Sequence, residues 1–326
     1  MSYAIQTKVT EMLGIEYPII QGCMQWIARA CLVGAVSEAG GLGVLSSSTH
    51  RTAEDLRAEI RKVKKITSKP FAVNITLLPS LYVPDYDGFI RVCGEEGVKI
   101  IETAGRIPSD AMIAKFKEYG MIWSHKCTIT KHAQKAEKAG CDLIVADGFE
   151  CAGHPGENDI GTMVLTTRCV EQLHVPVITA GGVGTGRQMA AALMLGAQGV
   201  YMGTRFLLSE ECPVLDSLKR HLAENTNELD TILLLRSYVN TTRAYKSEMA
   251  KSVLAREKQG LPFDAVAEDM SGIKAQELFF ENGDYDHCGT ICLGQVTGVI
   301  HDVLPVRQII EDTMRECVET IRSFQV

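Results

Sequence analysis

Several stretches of this 326-residue chain carry groups suited to chemistry. His154 stands in D-G-F-E-C-A-G-H-P-G-E (147–157), a loop of glycine, proline and acids. An imidazole in such a loop can take or give a proton near neutral pH. Glu150 and Glu157 flank it and can either orient the ring or stand in solvent. Lys126 lies in S-H-K-C (124–127), where a cation can neutralise negative charge developing on a ligand. Two further stretches, A-G-G-V-G-T-G (180–186) and M-G-T-R-F (202–206), are built around glycine. Glycine lets backbone N–H groups approach an anion closely, and a following helix N-terminus adds donors, so the pair reads as a phosphate cradle. The G-V-G-T-G spacing is not G-x-G-x-x-G and no acidic ribose partner is evident, which leaves a dinucleotide fingerprint as the weaker reading. Cys151 has no base set beside it by any motif, so it is not expected to be a nucleophile.

These residues need a scaffold, and the chain supplies a regular one. Short apolar, β-branched runs recur at 18–21, 41–47, 71–77, 98–104, 121–127, 143–148, 176–182 and 199–206. Amphipathic stretches separate them, among them 53–66, 130–140 and 185–197. Continuous apolar strands divided by helices of ~10–15 residues signal a parallel sheet covered by helices. Eight such units predict an α/β fold, a (β/α)8 TIM barrel. Counting units does not show closure, so an open doubly wound sheet stays as the alternative. The chemistry-bearing residues fall at the C-terminal ends of the strands, the end at which such barrels carry their sites. After residue 206 the alternation stops. Residues 207–287 are read as a helical, substrate-covering insertion after strand eight, and 288–326 as a returning helical segment that completes the barrel of 1–206.

Composition bounds the partners. The charge is 33 − 40 = −7, which argues against a nucleic-acid partner. No apolar run reaches the ~18 residues of a membrane span. The mixed, charged beginning does not read as a secretory signal, so a cytoplasmic protein acting on small molecules is expected. Eleven cysteines are scattered without any C-x-x-C, which fits reduced thiols rather than a disulfide framework. Cys288 and Cys292 have only His287 beside them, short of a zinc set, and no metal is expected. The oligomeric state is left open, with a homodimer as one option.

Taken in order, P-I-I-Q-G-C-M, F-A-V-N-I-T-L-L-P, E-T-A-G, H-K-C, G-F-E-C-A-G-H-P-G-E, A-G-G-V-G-T-G and Y-M-G-T-R-F-L resemble the nitronate monooxygenase family, FMN-dependent barrel enzymes. The likeness covers residues of about 10–210, and G-Q-V-T-G-V-I-H-D-V (294–303) extends it. Within that superfamily, N-I-T-L-L-P and C-A-G-H-P-G-E most resemble the bacterial NADH:quinone reductase branch. The monooxygenases proper and the FMN-containing enoyl-acyl-carrier reductases usually read E-A-G-G-H, where this chain has Glu150-Cys151-Ala152-Gly153-His154. The resemblance implies non-covalent FMN, with Gly22, Met24 and Asn74 packed around the isoalloxazine and Lys126 at its N1/O2 edge. It further implies that Asp147, Gly148 and Gly153 border the ribityl chain and ring, that Gly181, Gly182, Gly203 and Thr204 hold the phosphate, and that Gln295 reaches the flavin. His154 would stand at the reactive face and Pro79 at the mouth. The implied reaction is hydride transfer from NADH or NADPH to FMN, followed by reduction of a quinone-like acceptor. Oxidation of alkyl nitronates with O2 is the first alternative, with His154 as base, and reduction of an enoyl thioester is the second.

Overall fold

The computed structural model describes residues 3–78 and 84–324. Pro79 lies outside the described residues. Eight parallel strands form one sheet: β1 (Ile19–Gln21), β2 (Gly43–Ser46), β3 (Phe71–Leu77), β4 (Ile100–Gly105), β5 (Ile122–Cys127), β6 (Leu143–Asp147), β7 (Val177–Ala180) and β8 (Val200–Met202). Each pairs with its neighbour in sequence from β2 to β8, and β8 pairs with β1. The remaining seam is drawn together where Gln21 N–H donates to the Leu42 carbonyl at 2.9 Å and Leu42 N–H to the Ile19 carbonyl at 2.9 Å. The sheet is therefore a nearly closed barrel and not an open doubly wound sheet.

Strand alternation divides the core into two shells. Ile20, Val44, Ala72, Ile100, Leu143, Val145 and Ile178 fill the barrel interior. Their chain neighbours Ile19, Leu45, Val73, Ile101 and Ile144 face outward to the helices. Helix Ala53–Ile66 shows why the helices cover that outer face. Ala53, Leu56, Ile60 and Val63 recur at three- and four-residue spacing and are buried, while Glu54, Arg57, Arg61 and Lys64 face away. Thr52 opens it with a capping box to Asp55.

The last barrel helix, Val306–Ser323, comes from the C-terminus and packs against helices Gly186–Met194 and Ala30–Glu38. A Cβ on Gly186 would strike the Thr313 carbonyl and the Cys317 nitrogen, so glycine allows the two backbones to touch. The returning segment, helical by the sequence pattern, is not helical throughout. Instead a 3-10 turn, Gln295–Val299, precedes a helix that begins only after Pro305.

The insertion corrects the sequence reading more substantially. Residues 207–287 are not wholly helical, because Thr231–Leu234 and Thr242–Tyr245 form an antiparallel hairpin. It lies beside helix Glu248–Lys258 over a small core of Leu234, Leu235, Ala244, Ala250, Val253 and Val266. A short apolar run such as T-I-L-L-L does not distinguish strand from helix by periodicity. The eighth strand is also shorter than expected: it ends at Met202, and Thr204–Leu207 turns into a short helix.

Candidate functional site

The same alternation that buries Ile100 places Glu102 inside the barrel one step higher, and Val145 is followed in the same way by Asp147. Asn74 and Tyr201 join them. Glu102 Oε1 accepts from Asn74 Nδ2 at 2.7 Å and from the Tyr201 hydroxyl at 2.8 Å. Tyr201 in turn accepts from the Cys23 N–H at 2.7 Å, and the Thr76 hydroxyl donates to Asn74 Oδ1 at 2.8 Å. Lys126 Nζ lies 3.9 Å from Asp147 Oδ2 and 5.0 Å from the centroid of the Tyr201 ring.

The electrostatics of this ring decide its charge state. Burial pushes the Glu102 carboxyl above the usual carboxylate range, against the pull of Lys126, Tyr201 and Asn74. Asp147 is raised by the same cause, with Lys126 opposing. Burial alone would lower the Lys126 pKa, but Asp147 and Glu102 together outweigh it and hold the ammonium charged. Burial, then Glu102, raise the Tyr201 phenol, which stays a hydrogen-bond donor. Sequence reasoning picked out Lys126, Asn74 and Asp147, but it gave no role to Glu102 on β4 and did not single out Tyr201. The available signal was an acid two residues beyond Ile100 on an otherwise apolar inward face.

The two glycine loops separate into different jobs. Gly184 and Thr185 N–H groups donate to Gln188 Oε1 at 2.9 and 3.1 Å, and Gly186 N–H donates to Glu316 at 2.7 Å. That half of A-G-G-V-G-T-G caps a helix. Gly181 and Gly182 adopt φ of +82° and +75°, and among the described residues no acceptor is paired with their N–H groups or with those of Gly203 and Thr204. A Cβ on Gly203 would meet nothing nearer than the Met24 sulfur at 4.0 Å, so protein packing does not require glycine there. By contrast, Gly22 is needed because a Cβ would come within 2.9 Å of the Tyr201 ring, and Gly148 because Thr162 fills the space. Unpaired amides beside an open glycine, with a charged lysine across the mouth, suit a phosphorylated, electron-accepting ring such as FMN.

The loop after β6 is held from three sides. Gly153 exchanges backbone hydrogen bonds with Arg243 of the insertion hairpin, at 3.0 and 2.6 Å. Arg243 also donates to the Phe149 carbonyl at 2.9 Å and lies over the Phe149 ring. Glu157 accepts from the Thr241 N–H at 2.8 Å and from its hydroxyl, while Glu150 accepts from Thr162 N–H at 2.9 Å. Both acids are thus spent on holding the loop. From the returning segment, Gln295 N–H donates to the Glu150 carbonyl at 3.0 Å and Gly294 N–H to the Thr204 hydroxyl at 3.1 Å. His154 is carried on this frame at an exposed position of the loop. Desolvation by the walls around it, then repulsion from Lys126, lower its pKa against the pull of Asn240 and Glu157, which favours the neutral ring. Cys151 is buried, and burial followed by Asp147 raises its thiol far from the thiolate range.

An eight-stranded barrel with glycine loops and a half-buried lysine at the C-terminal ends of its strands is an α/β-barrel enzyme scaffold, and comparison gives the family. The chain belongs to the nitronate monooxygenase family, whose profile matches residues 6–316. A (3aS,4S,5R,7aS)-5-hydroxy-7a-methyl-1-oxo-octahydro-1H-indene-4-carboxyl-CoA dehydrogenase of Mycobacterium tuberculosis is 40% identical over 219 residues, 66% of this chain and 59% of that protein. The chain therefore spans less than two thirds of that relative. The enzyme of the same name from Rhodococcus jostii is 30% identical, with 98% of each chain covered. Among solved structures, FabK from Thermotoga maritima superposes with a TM-score of 0.90 at 34% identity, covering 98% of both chains. A nitroalkane oxidase from Streptomyces ansochromogenes gives 0.84 at 25% identity over 97% of this chain and 99% of that one.

Proposed function

We propose that the protein is an FMN-dependent oxidoreductase of acyl thioesters, coupling an NAD(P)H/NAD(P)⁺ exchange to hydride transfer at the carbon chain, with His154 handling the proton next to the thioester carbonyl. The observation that carries this reading is the placement of His154 at the barrel mouth, near enough to the half-buried Lys126 for the ammonium charge to lower the imidazole pKa. Support comes from the carboxyl-CoA dehydrogenases and from FabK, an enoyl-acyl-carrier-protein reductase. When bound, FMN supplies hydride acceptance and donation.

The chain's own residues supply the rest. Gly181, Gly182, Gly203 and Thr204 would hold the phosphate, with Gly153 and Gln295 at the loops that border it. Met24 and Asn74 would pack beside the ring, and Asp147 would fix the Lys126 ammonium at 3.9 Å. Lys126 would offer its positive charge to a cofactor that becomes more negative on reduction. His154 removes the acidic α-proton in the oxidative direction and returns it in the reductive one, a task for a neutral ring near pH 7. The insertion, through the Gly153–Arg243 contact, keeps that ring over the mouth and covers the substrate.

A second reading is the NADH:quinone reductase, favoured by the C-A-G-H-P-G-E and N-I-T-L-L-P versions of the motifs. It needs no carbon base, so His154→Ala would leave NADH-driven flavin reduction and quinone turnover intact. Anaerobic stopped-flow mixing decides between them. Protein reduced with NADH or NADPH is mixed with crotonyl-CoA, a quinone or buffer, and an alkyl nitronate is mixed with oxidised protein. Rapid reoxidation by crotonyl-CoA, lost by about 10²-fold in His154→Ala, is the expected result. Reoxidation by quinone alone would establish the second reading, and flavin reduction by the nitronate without NAD(P)H would establish a nitronate oxidase.

A further inference from the structure

On the outer face of β5, turned away from the barrel interior, His125 and Cys127 stand two residues apart and so point the same way, into the helix layer. Helix Thr130–Lys138 packs there and brings His132 from its first turn. One nitrogen of each histidine and the Cys127 sulfur all lie within 4.8 Å of one another. The His125 side chain is fully buried, and its Nε2 has no hydrogen-bond partner. Its other nitrogen, Nδ1, is 2.6 Å from the Thr103 hydroxyl, which also accepts from Trp123 Nε1 at 2.7 Å. A histidine oriented through one nitrogen with the other left bare is the arrangement of a metal ligand with its supporting hydrogen bond.

We propose that His125, Cys127 and His132 form a binding site for one zinc-class transition ion. Two imidazoles and a thiolate select zinc-like ions over calcium or magnesium, which take oxygen donors. Bonds of about 2.0–2.3 Å place tetrahedral donors roughly 3.3–3.6 Å apart, so the cluster closes by about 1 Å, through rotation of the half-buried His132. Three protein ligands leave the fourth position to water. On binding, Cys127 gives its proton to solvent and coordinates as thiolate, one proton released per ion. Lys126 sits between two of the ligands and points the opposite way, into the barrel. The ion would therefore clip β5 to its covering helix directly behind the lysine of the site. The assignment does not depend on the thioester reading.

The test uses the protein as purified, stripped with EDTA, desalted and titrated with Zn(II), with retained metal counted by mass spectrometry after a second desalting. Co(II) is followed in parallel through its ligand-field bands in the red, outside flavin absorption. One retained Zn(II) per chain, intense four-coordinate Co(II) bands and one proton released per ion are expected. His132→Ala should weaken retention by about tenfold or more while leaving circular dichroism unchanged, and Cys127→Ser should remove the sulfur-to-cobalt charge transfer. Cys31→Ser, at an exposed thiol, should bind like the parent. Retention well below one equivalent by the parent chain, or full retention by folded His132→Ala, overturns the proposal.

Discussion

The lower and upper halves of the barrel interior are built from the same strands and differ by one alternation of the chain. Below, Ile20, Val44, Ala72, Ile100, Leu143, Val145 and Ile178 make an apolar plug. Above, two residues further along β3, β4 and β6, the inward positions become Asn74, Glu102 and Asp147, and β5 adds Lys126. The plug gains stability by excluding water and tolerates no charge. The upper ring spends stability to hold two carboxylates and an ammonium together, and it keeps them only because each has a partner. Fold and site are thus separated by height within a single core.

That separation can be broken most directly at Lys126. Lys126→Met leaves Glu102 and Asp147 without their countercharge, and loss of one partner from a buried charge set costs about 3–5 kcal/mol. Chemical denaturation should show that loss, stopped-flow should show flavin reduction slowed about tenfold or more, and adding Glu102→Gln should recover part of the stability. In the plug, Leu143→Ala should cost about 3 kcal/mol by opening a cavity, while flavin affinity and turnover per folded molecule stay within about twofold. A change in turnover as large as that of Lys126→Met would show that the two halves are coupled.

Gly203→Val probes the open side of the ring. Because a Cβ there meets nothing within the protein closer than 4.0 Å, the melting temperature should hardly move, whereas FMN affinity measured by fluorescence should fall about tenfold, near 1.4 kcal/mol. The smallest effect concerns pH. Desolvation and the Lys126 charge disfavour the His154 imidazolium, so the acid limb of kcat/KM should have its midpoint below 6.5, with activity lost as pH falls through it. In Lys126→Met that midpoint should move up toward 6.5. A midpoint unchanged between the two proteins would mean that the charge does not reach His154.

Much of this molecule is legible along the chain. The β-branched runs and amphipathic stretches specify eight strand–helix units because alternation and the 3.6-residue period are local properties. Strand ends locate the mouth, which is why Lys126, Asp147 and the glycine loops could be picked out from order alone. The misses share a physical cause. Glu102 and Tyr201 meet only when strands four and eight face each other across the barrel, 99 residues apart, at 2.8 Å. The hairpin at 231–245 exists because its small core and the Gly153–Arg243 contact give a short, ambiguous apolar run a partner. Half of A-G-G-V-G-T-G is a helix cap, because Thr185 and Gln188 form a capping box whose T-x-x-Q spacing was there to be read, while Glu316, 130 residues on, adds an acceptor that only the fold brings in. The order of residues determines which groups can do chemistry and toward which end of the barrel they point. Whether a carboxylate is charged, a glycine is open or an imidazole is neutral depends on what stands opposite, and only closure of the barrel and return of the C-terminal segment bring those partners into place.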